Sequence, residues 1–412
     1  METERDVVPA RRHSWLTVVI ANIAHGFAHL NNQALAALWP VLREEFGFGY
    51  IGIGLLSVVN QVVVGPIEIV YGVVTRFIRR VRIMAIGTLV AFTGIAGMAS
   101  SQSYAHLMAS GVVRSLGTSP NHPVGGAIMA DTFPKARAKA FALYNVSGNI
   151  GGWLAPLLVG GMLYFLDWRP ILLIMGLPLL LASLLFFSVK EPVPQADAGE
   201  GKKRRVRLGL AEYKTVIRDR NAILLGLVMA VGACGRGGGG LHTYLTSFMV
   251  DRFGVTAPFA AMFLATYTFG AVAGPLSMAW FADRTSPRLV LRISLALSAA
   301  FSLLFLVPKT PGIPLGVVIF LAGFFISSRG ILTQSMLVSM GPKDVRIDTL
   351  LSLYGAMGAA TGPLWTLITG VIVRYFGIPP ALMVAATSYV SGIVILSFIK
   401  LSPMQEVTDD IG

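Results

Sequence analysis

Three arginines and one glutamate, Arg114, Arg236, Arg329 and Glu68, lie inside long apolar runs of this 412-residue chain. An ionisable side chain at the centre of a bilayer costs at least ~2.5–3.5 kcal/mol, so it normally faces a cavity or a partner. Arg236 sits within Gly235-Arg236-Gly237-Gly238-Gly239-Gly240. It is about fifteen residues into its run, roughly 22 Å along a helix, and so near mid-membrane. Each flanking glycine weakens a helix by ~1 kcal/mol relative to alanine, and together they open space around the guanidinium. There it can grip a carboxylate or phosphonate through two parallel hydrogen bonds. The alternative is a tight helix crossing whose carbonyls satisfy the arginine. Arg114 falls in the outer part of its run and Arg329 toward the inner end of another. Both are candidate anion contacts, and Arg329 could instead snorkel to the cytoplasmic surface. Three arginines against one glutamate favour an anionic small molecule, because an exporter of lipophilic cations would bury acids in an aromatic cavity. The aromatics Tyr144, Tyr244, Tyr267 and Phe269 recur at helical spacing, which suits packing; Tyr244 is kept as a ligand contact.

A second group can carry protons. His25 and His29 are four residues apart and share a helix face, with Asn32 three residues further on. Histidine titrates near neutral pH and suits proton coupling; the alternative is a neutral ring tying helices together. His25, His29 and Asn32 are candidate substrate contacts too, and His122, between Asn121 and Pro123, joins them, although Pro123 also loosens its helix. Glu68 can hold a coupling proton, since desolvation favours its neutral form, or it can pair with Arg76 or Arg79 at the helix end. The six histidines show no ligand spacing that reads as a metal site. One cysteine, Cys234, excludes a disulfide framework and any cysteine cluster. No metal and no cofactor are expected.

Positioning such residues takes membrane-spanning helices. The chain is 54% hydrophobic and 13% charged, against about 25% charged residues in soluble proteins, and its mean hydropathy is +0.70. At ~20 apolar residues per crossing plus connections, the length allows about twelve spans. They are read at 15–39, 50–73, 83–101, 106–130, 140–165, 169–189, 221–248, 258–281, 289–307, 313–336, 349–373 and 380–400. The expected fold is an all-α polytopic membrane protein of two six-helix halves, residues 1–189 and 220–412, joined by a polar cytoplasmic linker at 190–219. The net charge of +13 does not signal a nucleic-acid partner. Basic residues cluster at Arg11–Arg12, Arg76 to Arg82, Lys135 to Lys139 and Lys202 to Arg205, between nearly balanced loops. That alternation places both termini in the cytoplasm. No signal peptide is read at the start. The partners expected are the lipid bilayer, protons and a small anion, for a monomer in a plasma (inner) membrane.

The halves repeat. Gly65-Pro66 recurs as Gly274-Pro275, Pro156-Leu157 as Pro363-Leu364 and Gly117 as Gly323, at offsets of 209, 207 and 206. The same register sets Arg329 opposite His122. Parallel duplication of a six-span unit places a substrate site between halves near mid-membrane.

On these residues the chain resembles the major facilitator superfamily over nearly its whole length. The superfamily's loop, a glycine with Asp-Arg four residues on and then basic residues, has its counterpart in Ala279-Trp-Phe-Ala-Asp283-Arg284 before Arg288, with alanine at the glycine position; the first-half copy, Gly72 to Arg76, lacks the aspartate. The resemblance implies a cytoplasmic gate held by Asp283 and Arg284, with Arg76 the first-half counterpart. A narrower likeness is to fosmidomycin-resistance-like exporters. It rests on Gly117-Thr-Ser-Pro-Asn-His122-Pro123, on Gly148-Asn149-Ile-Gly151 with Pro156, and on the polar first span with His25, His29 and Asn32.

The expected function is a secondary transporter moving a small organic anion by alternating access, coupled to protons, with export implied by the resemblance. Uptake of a monocarboxylate and proton/multidrug antiport are the alternatives. An enzyme is disfavoured because no nucleophile–base pair or ligand set appears. ATP-driven transport is disfavoured because no phosphate-binding GxxxxGK[ST] loop appears.

Overall fold

The computed structural model describes residues 7–75, 77–133, 137–189, 210–232, 240–342, 345 and 347–399. Among the described residues, all regular structure is helical. The first six predicted spans correspond to α1 (Val7–Phe46), α2 (Tyr50–Val74), α3 (Arg80–Ala99), α4 (Tyr104–Thr118) with α5 (Gly126–Thr132), α6 (Arg137–Met162) and α7 (Trp168–Ser188). A π-helical turn, Asn121–Gly125, joins α4 to α5. The polar segment read as a linker contains a helix, α8 (Leu210–Arg218), whose LAEYKTVIR sequence is amphipathic. α9 (Arg220–Val231) and α10 (Gly240–Phe253) occupy the two ends of predicted span 7. The remaining spans are α11 (Ala257–Ala282), α12 (Pro287–Leu304), α13 (Ile313–Met340), α14 (Ile347–Phe376) and α15 (Ile378–Ser397).

Local chemistry sets the helix ends. Ser103 caps α4 by accepting from the His106 N–H at 3.2 Å, and Asp219 caps α9 by accepting from the Ala222 N–H at 2.7 Å. Proline enters the first turn of α11, α12, α13 and α15, where its missing N–H has no partner to lose. Among the described residues three turns need a left-handed residue, and all use glycine: Gly47 (φ 67°) between α1 and α2, Gly254 (φ 63°) between α10 and α11, and Gly377 (φ 86°) between α14 and α15. The first two are separated by 254 − 47 = 207, which equals the Pro156/Pro363 offset. The duplication is therefore written in backbone conformation as well as in residue type.

The chain divides into two compact units, Met1–Phe46 with Val59–Arg204, and Gly47–Val58 with Arg205–Gly412. The start of α2 is held in the second unit. Tyr50 donates to Asp251 at 2.6 Å, the Tyr244 hydroxyl lies 3.0 Å from the Tyr50 carbonyl oxygen, and Gly54 and Gly370 leave room for this approach. In the first unit, α1, α3, α6 and α7 share a buried apolar core including Val18, Ala21, Met84, Ala85, Tyr144 and Phe186. The opposite face of α7 exposes Leu173, Leu177, Leu181, Leu184 and Phe187. An apolar belt of that extent is stable against lipid and not against water. Six helices among the described residues are long and apolar enough to cross a membrane: α3, α7, α11, α12, α13 and α15. The chain is a multi-pass membrane protein.

Candidate functional site

The histidine site grows from a close helix crossing. Small residues let α1 and α6 approach: a Cβ on Gly151 would run into the Gly26 carbonyl, and one on Gly26 would lie 3.1 Å from the Ser147 carbonyl oxygen. A Cβ on Gly148 would meet His25 Cε1 at 2.8 Å and His29 Cδ2 at 3.1 Å, so this glycine is the floor of the space that the two rings occupy. α6 then fixes His25 in two ways. The ring stacks on Tyr144 with centroids 3.9 Å apart, and His25 Nδ1 lies 2.8 Å from the Tyr144 carbonyl oxygen. A carbonyl can only accept, so Nδ1 carries the proton and Nε2 of the neutral ring bears the lone pair. That Nε2 is buried without a hydrogen-bond partner.

The π turn supplies the third ring. Such turns insert one extra residue and recur at functional sites. Pro123 supplies no N–H to the helical ladder there, and the Tyr144 hydroxyl donates to the Asn121 carbonyl at 2.7 Å. His122 is thereby brought to His25 and His29, with centroids 5.3 Å and 5.7 Å away, while His25 and His29 are 4.6 Å apart. His25 is buried, His29 half-buried and His122 exposed, so the cluster opens on one side of the unit. Although the histidines have no metal-ligand spacing in the sequence, the fold brings three together, with one ring nitrogen from each within 4.8 Å of the others. Sequence spacing could not show it, because His29 and His122 are 93 residues apart.

Arg114, on α4, contacts α1 at Asn32, three residues beyond His29. Its Nη2 reaches Asn32 Oδ1 and Ser115 Oγ, both at 3.5 Å, and its Nε is buried without a partner. The residue is 5% exposed. It is seated by the α3–α4 crossing, where side chains on Gly94 or Gly117 would strike the Arg114 and Ala91 backbones. No described acid pairs with it.

The second unit holds its own buried arginine. Arg329 on α13 is 1% exposed, so it does not snorkel, and its Nε and Nη1 have no hydrogen-bond partner. Gly232 at the end of α9 provides the room: a Cβ there would overlap Arg329 Nη1. His242 is buried with both ring nitrogens unpartnered, 5.5 Å from the Tyr267 ring. The Tyr244 hydroxyl is fully buried, 2.8 Å from the Thr366 carbonyl oxygen and 3.0 Å from that of Tyr50, which makes it an interhelical tie. Asp283 and Arg284 are exposed, and Arg284 lies 3.8 Å over the Trp280 ring while donating to the Trp280 carbonyl. Arg236 and Arg76 lie outside the described residues; Glu68 lies on α2, its side chain among those not described. The supporting residues missed by sequence reading, Ser147, Gly232 and the Tyr144 carbonyl, carry no local signal.

The sequence profile of the Major Facilitator Superfamily matches residues 21–256 and again 237–410. The chain is 20% identical over 365 residues to the fosmidomycin resistance protein of Escherichia coli, covering 87% of this chain and 86% of that one. It is 24% identical over 292 residues to the cis,cis-muconate transport protein of Acinetobacter baylyi, covering 69% and 70% of the two chains. The solved structure of the nucleoside transporter NupG superposes with a TM-score of 0.75 at 16% identity, covering 95% of this chain and 100% of that one. Duplicated glycine turns, helices of membrane length and a profile matched by both halves agree, and the chain belongs to the Major Facilitator Superfamily, a family of transporters rather than enzymes.

Proposed function

We propose that this transporter moves a small organic anion by alternating access, in exchange for protons and in the export direction. The observation that carries the reading is the pair of buried arginines. Arg114 and Arg329 each sit in a helical bundle without an acidic partner among the described residues. An uncompensated buried charge is costly, and an incoming carboxylate or phosphonate offsets that cost with charge-assisted, bidentate hydrogen bonds. Fosmidomycin and cis,cis-muconate, for which two relatives are named, are both acidic small molecules. Arg236, in its run of glycines, is assigned to the same anion on sequence grounds, with His25, His29, Asn32 and His122 as further contacts.

His25, His29 or Glu68 takes up the coupling proton and changes the charge balance of the loaded or empty site, after which the halves rock about it. Asp283 and Arg284, with Arg76, hold the cytoplasmic gate. The protein is assigned to a plasma (inner) membrane as a monomer with both termini cytoplasmic, and to the fosmidomycin-resistance-like group.

The test is a thermal-shift screen of purified protein against carboxylates, phosphonates, sugar phosphates, neutral sugars and lipophilic cations at two pH values. A ligand that binds only the folded state raises its melting point by mass action. Stabilisation by an anion that disappears in Arg329→Met and Arg114→Met supports the reading. Stabilisation by lipophilic cations alone overturns it. For the proton, transport by Glu68→Gln that keeps its pH dependence clears Glu68 and leaves the histidines as carriers.

A further inference from the structure

We infer that His25, His29 and His122 form a binding site for a divalent transition-metal ion, of the zinc, cobalt or nickel type. Three features meet there. The first is ligand number and proximity: three imidazoles from α1 and the π turn bring one ring nitrogen each within 4.8 Å of the others. A metal with ligands at ~2.0–2.1 Å needs those nitrogens somewhat closer, and rotation of the half-buried His29 and the exposed His122 supplies the adjustment.

The second feature is the fixed tautomer. Metal-ligating histidines usually donate their other N–H to a carbonyl or carboxylate, which orients the ring and raises its basicity. His25 has that arrangement already, with Nδ1–H on the Tyr144 carbonyl oxygen at 2.8 Å and the ring clamped by the Tyr144 stack. The third is an unmet demand: the Nε2 lone pair of His25, a residue 1% exposed, is buried without any donor. This histidine spends Nδ1 on the scaffold and leaves Nε2 with its lone pair unused.

Imidazole nitrogens select zinc, nickel, cobalt and copper over magnesium or calcium, which prefer oxygen. Three protein ligands leave a fourth position open on the exposed side of His122, the arrangement of sites that exchange a bound ligand rather than of closed structural ones. Three neutral imidazoles leave the ion's double positive charge uncompensated, which favours an anionic fourth ligand: chloride, hydroxide or a carboxylate. The site rests on the geometry of the trio and stands whether or not the transported molecule is an anion.

The experiment is a titration of full-length protein, in detergent and chloride buffer and without a polyhistidine tag, with Co²⁺ followed by visible absorption. Four-coordinate cobalt on nitrogen gives intense d–d bands; the hydrated octahedral ion gives weak ones. The expected result is an intense spectrum saturating at one equivalent per chain and abolished by Zn²⁺. His122→Gln, at the exposed and least packed ligand, should weaken cobalt binding at least tenfold, and so should His29→Gln. His106→Gln and His242→Gln should leave it unchanged. Each variant is checked without metal by its elution profile and melting point, and two independent ligand variants guard against one failing to fold. A spectrum that stays that of the hydrated ion, or one that saturates equally in both ligand variants, overturns the proposal.

Discussion

The two units solve the problem of a buried arginine differently. In the first, Arg114 touches α1 at Asn32, three residues beyond His29, and the histidine cluster opens through the exposed His122. In the second, Arg329 is sealed at 1% exposure in a slot left by Gly232, and the histidine of that unit, His242, lies apart against Tyr267. The arginines are not copies of one another: Arg114 plus the Gly117/Gly323 offset of 206 lands on Phe320, while Arg329 minus 207 lands on His122. Duplication preserved the turns, through Gly47 and Gly254, and the interiors diverged. A fixed charge in one half and a cluster able to exchange protons or a metal in the other suit a transporter whose halves have distinct duties.

The largest effect expected from breaking this contrast is at Arg329. Because its charge is buried with no acidic partner among the described residues, Arg329→Met should cost little stability, or raise it, since a buried ion replaced by an apolar chain of similar volume is often neutral or stabilising. Removing it should nonetheless lower anion-driven transport by about a hundredfold, the loss corresponding to one buried charge-assisted contact of ~3 kcal/mol. Arg114→Met, where Asn32 and the histidines remain, should lose about tenfold. Transport assays paired with ligand-free melting points check both, and equal losses would mean that the two arginines act as one clamp. Next in size is Gly232→Ala. Its Cβ would occupy the place of Arg329 Nη1, but the far end of an arginine moves cheaply. The fold should therefore survive while transport falls about tenfold, the size expected of a displaced anion contact.

How much of this was legible beforehand follows from the physics of each signal. Apolar runs are written locally, so the span read at 83–101 meets α3 at Arg80–Ala99, and that read at 169–189 meets α7 at Trp168–Ser188. The helix α8 was concealed because charges flanking LAEYKTVIR gave the whole 190–219 segment the composition of a linker. His25 and His29 could be paired through helical spacing, but their meeting with His122 depends on a crossing at Gly26, Gly148 and Gly151 and on the π turn, neither of which leaves a periodic trace. Arg329 was open to a surface reading because burial at a helix end depends on its neighbour, here Gly232 of α9. Arg236, the most conspicuous residue in the sequence, lies outside the described residues and remains a proposal.

Gly148→Ala sharpens the contrast from the other side. The added methyl would stand 2.8 Å from His25 Cε1, and that ring cannot retreat, because the Tyr144 stack and the 2.8 Å hydrogen bond hold it. Overpacking a fixed group costs ~1–3 kcal/mol. The melting point should fall, and the cobalt spectrum should be lost with it. Gly232→Ala, by comparison, should leave both intact.

The smallest effect expected separates scaffold from site with a single oxygen. Tyr144→Phe keeps the ring under His25 and keeps the backbone carbonyl that fixes its tautomer. What it removes is the hydroxyl that donates to the Asn121 carbonyl at 2.7 Å. A lost buried hydrogen bond of this kind costs ~1–2 kcal/mol. Tyr244→Phe in the second unit makes the same deletion, removing the hydroxyl 2.8 Å from the Thr366 carbonyl oxygen, and should cost a similar amount. The stabilities should therefore match while the sites respond differently. Tyr144→Phe loosens the turn that presents His122, so cobalt affinity should drop by up to about tenfold, within the range for groups that orient metal ligands. Tyr244→Phe should leave cobalt affinity unchanged. Equal cobalt affinity in the two variants would show that the π turn holds His122 without the tyrosine, and the anchoring of that ring would then pass to Pro123 and the packing of α5 on α6.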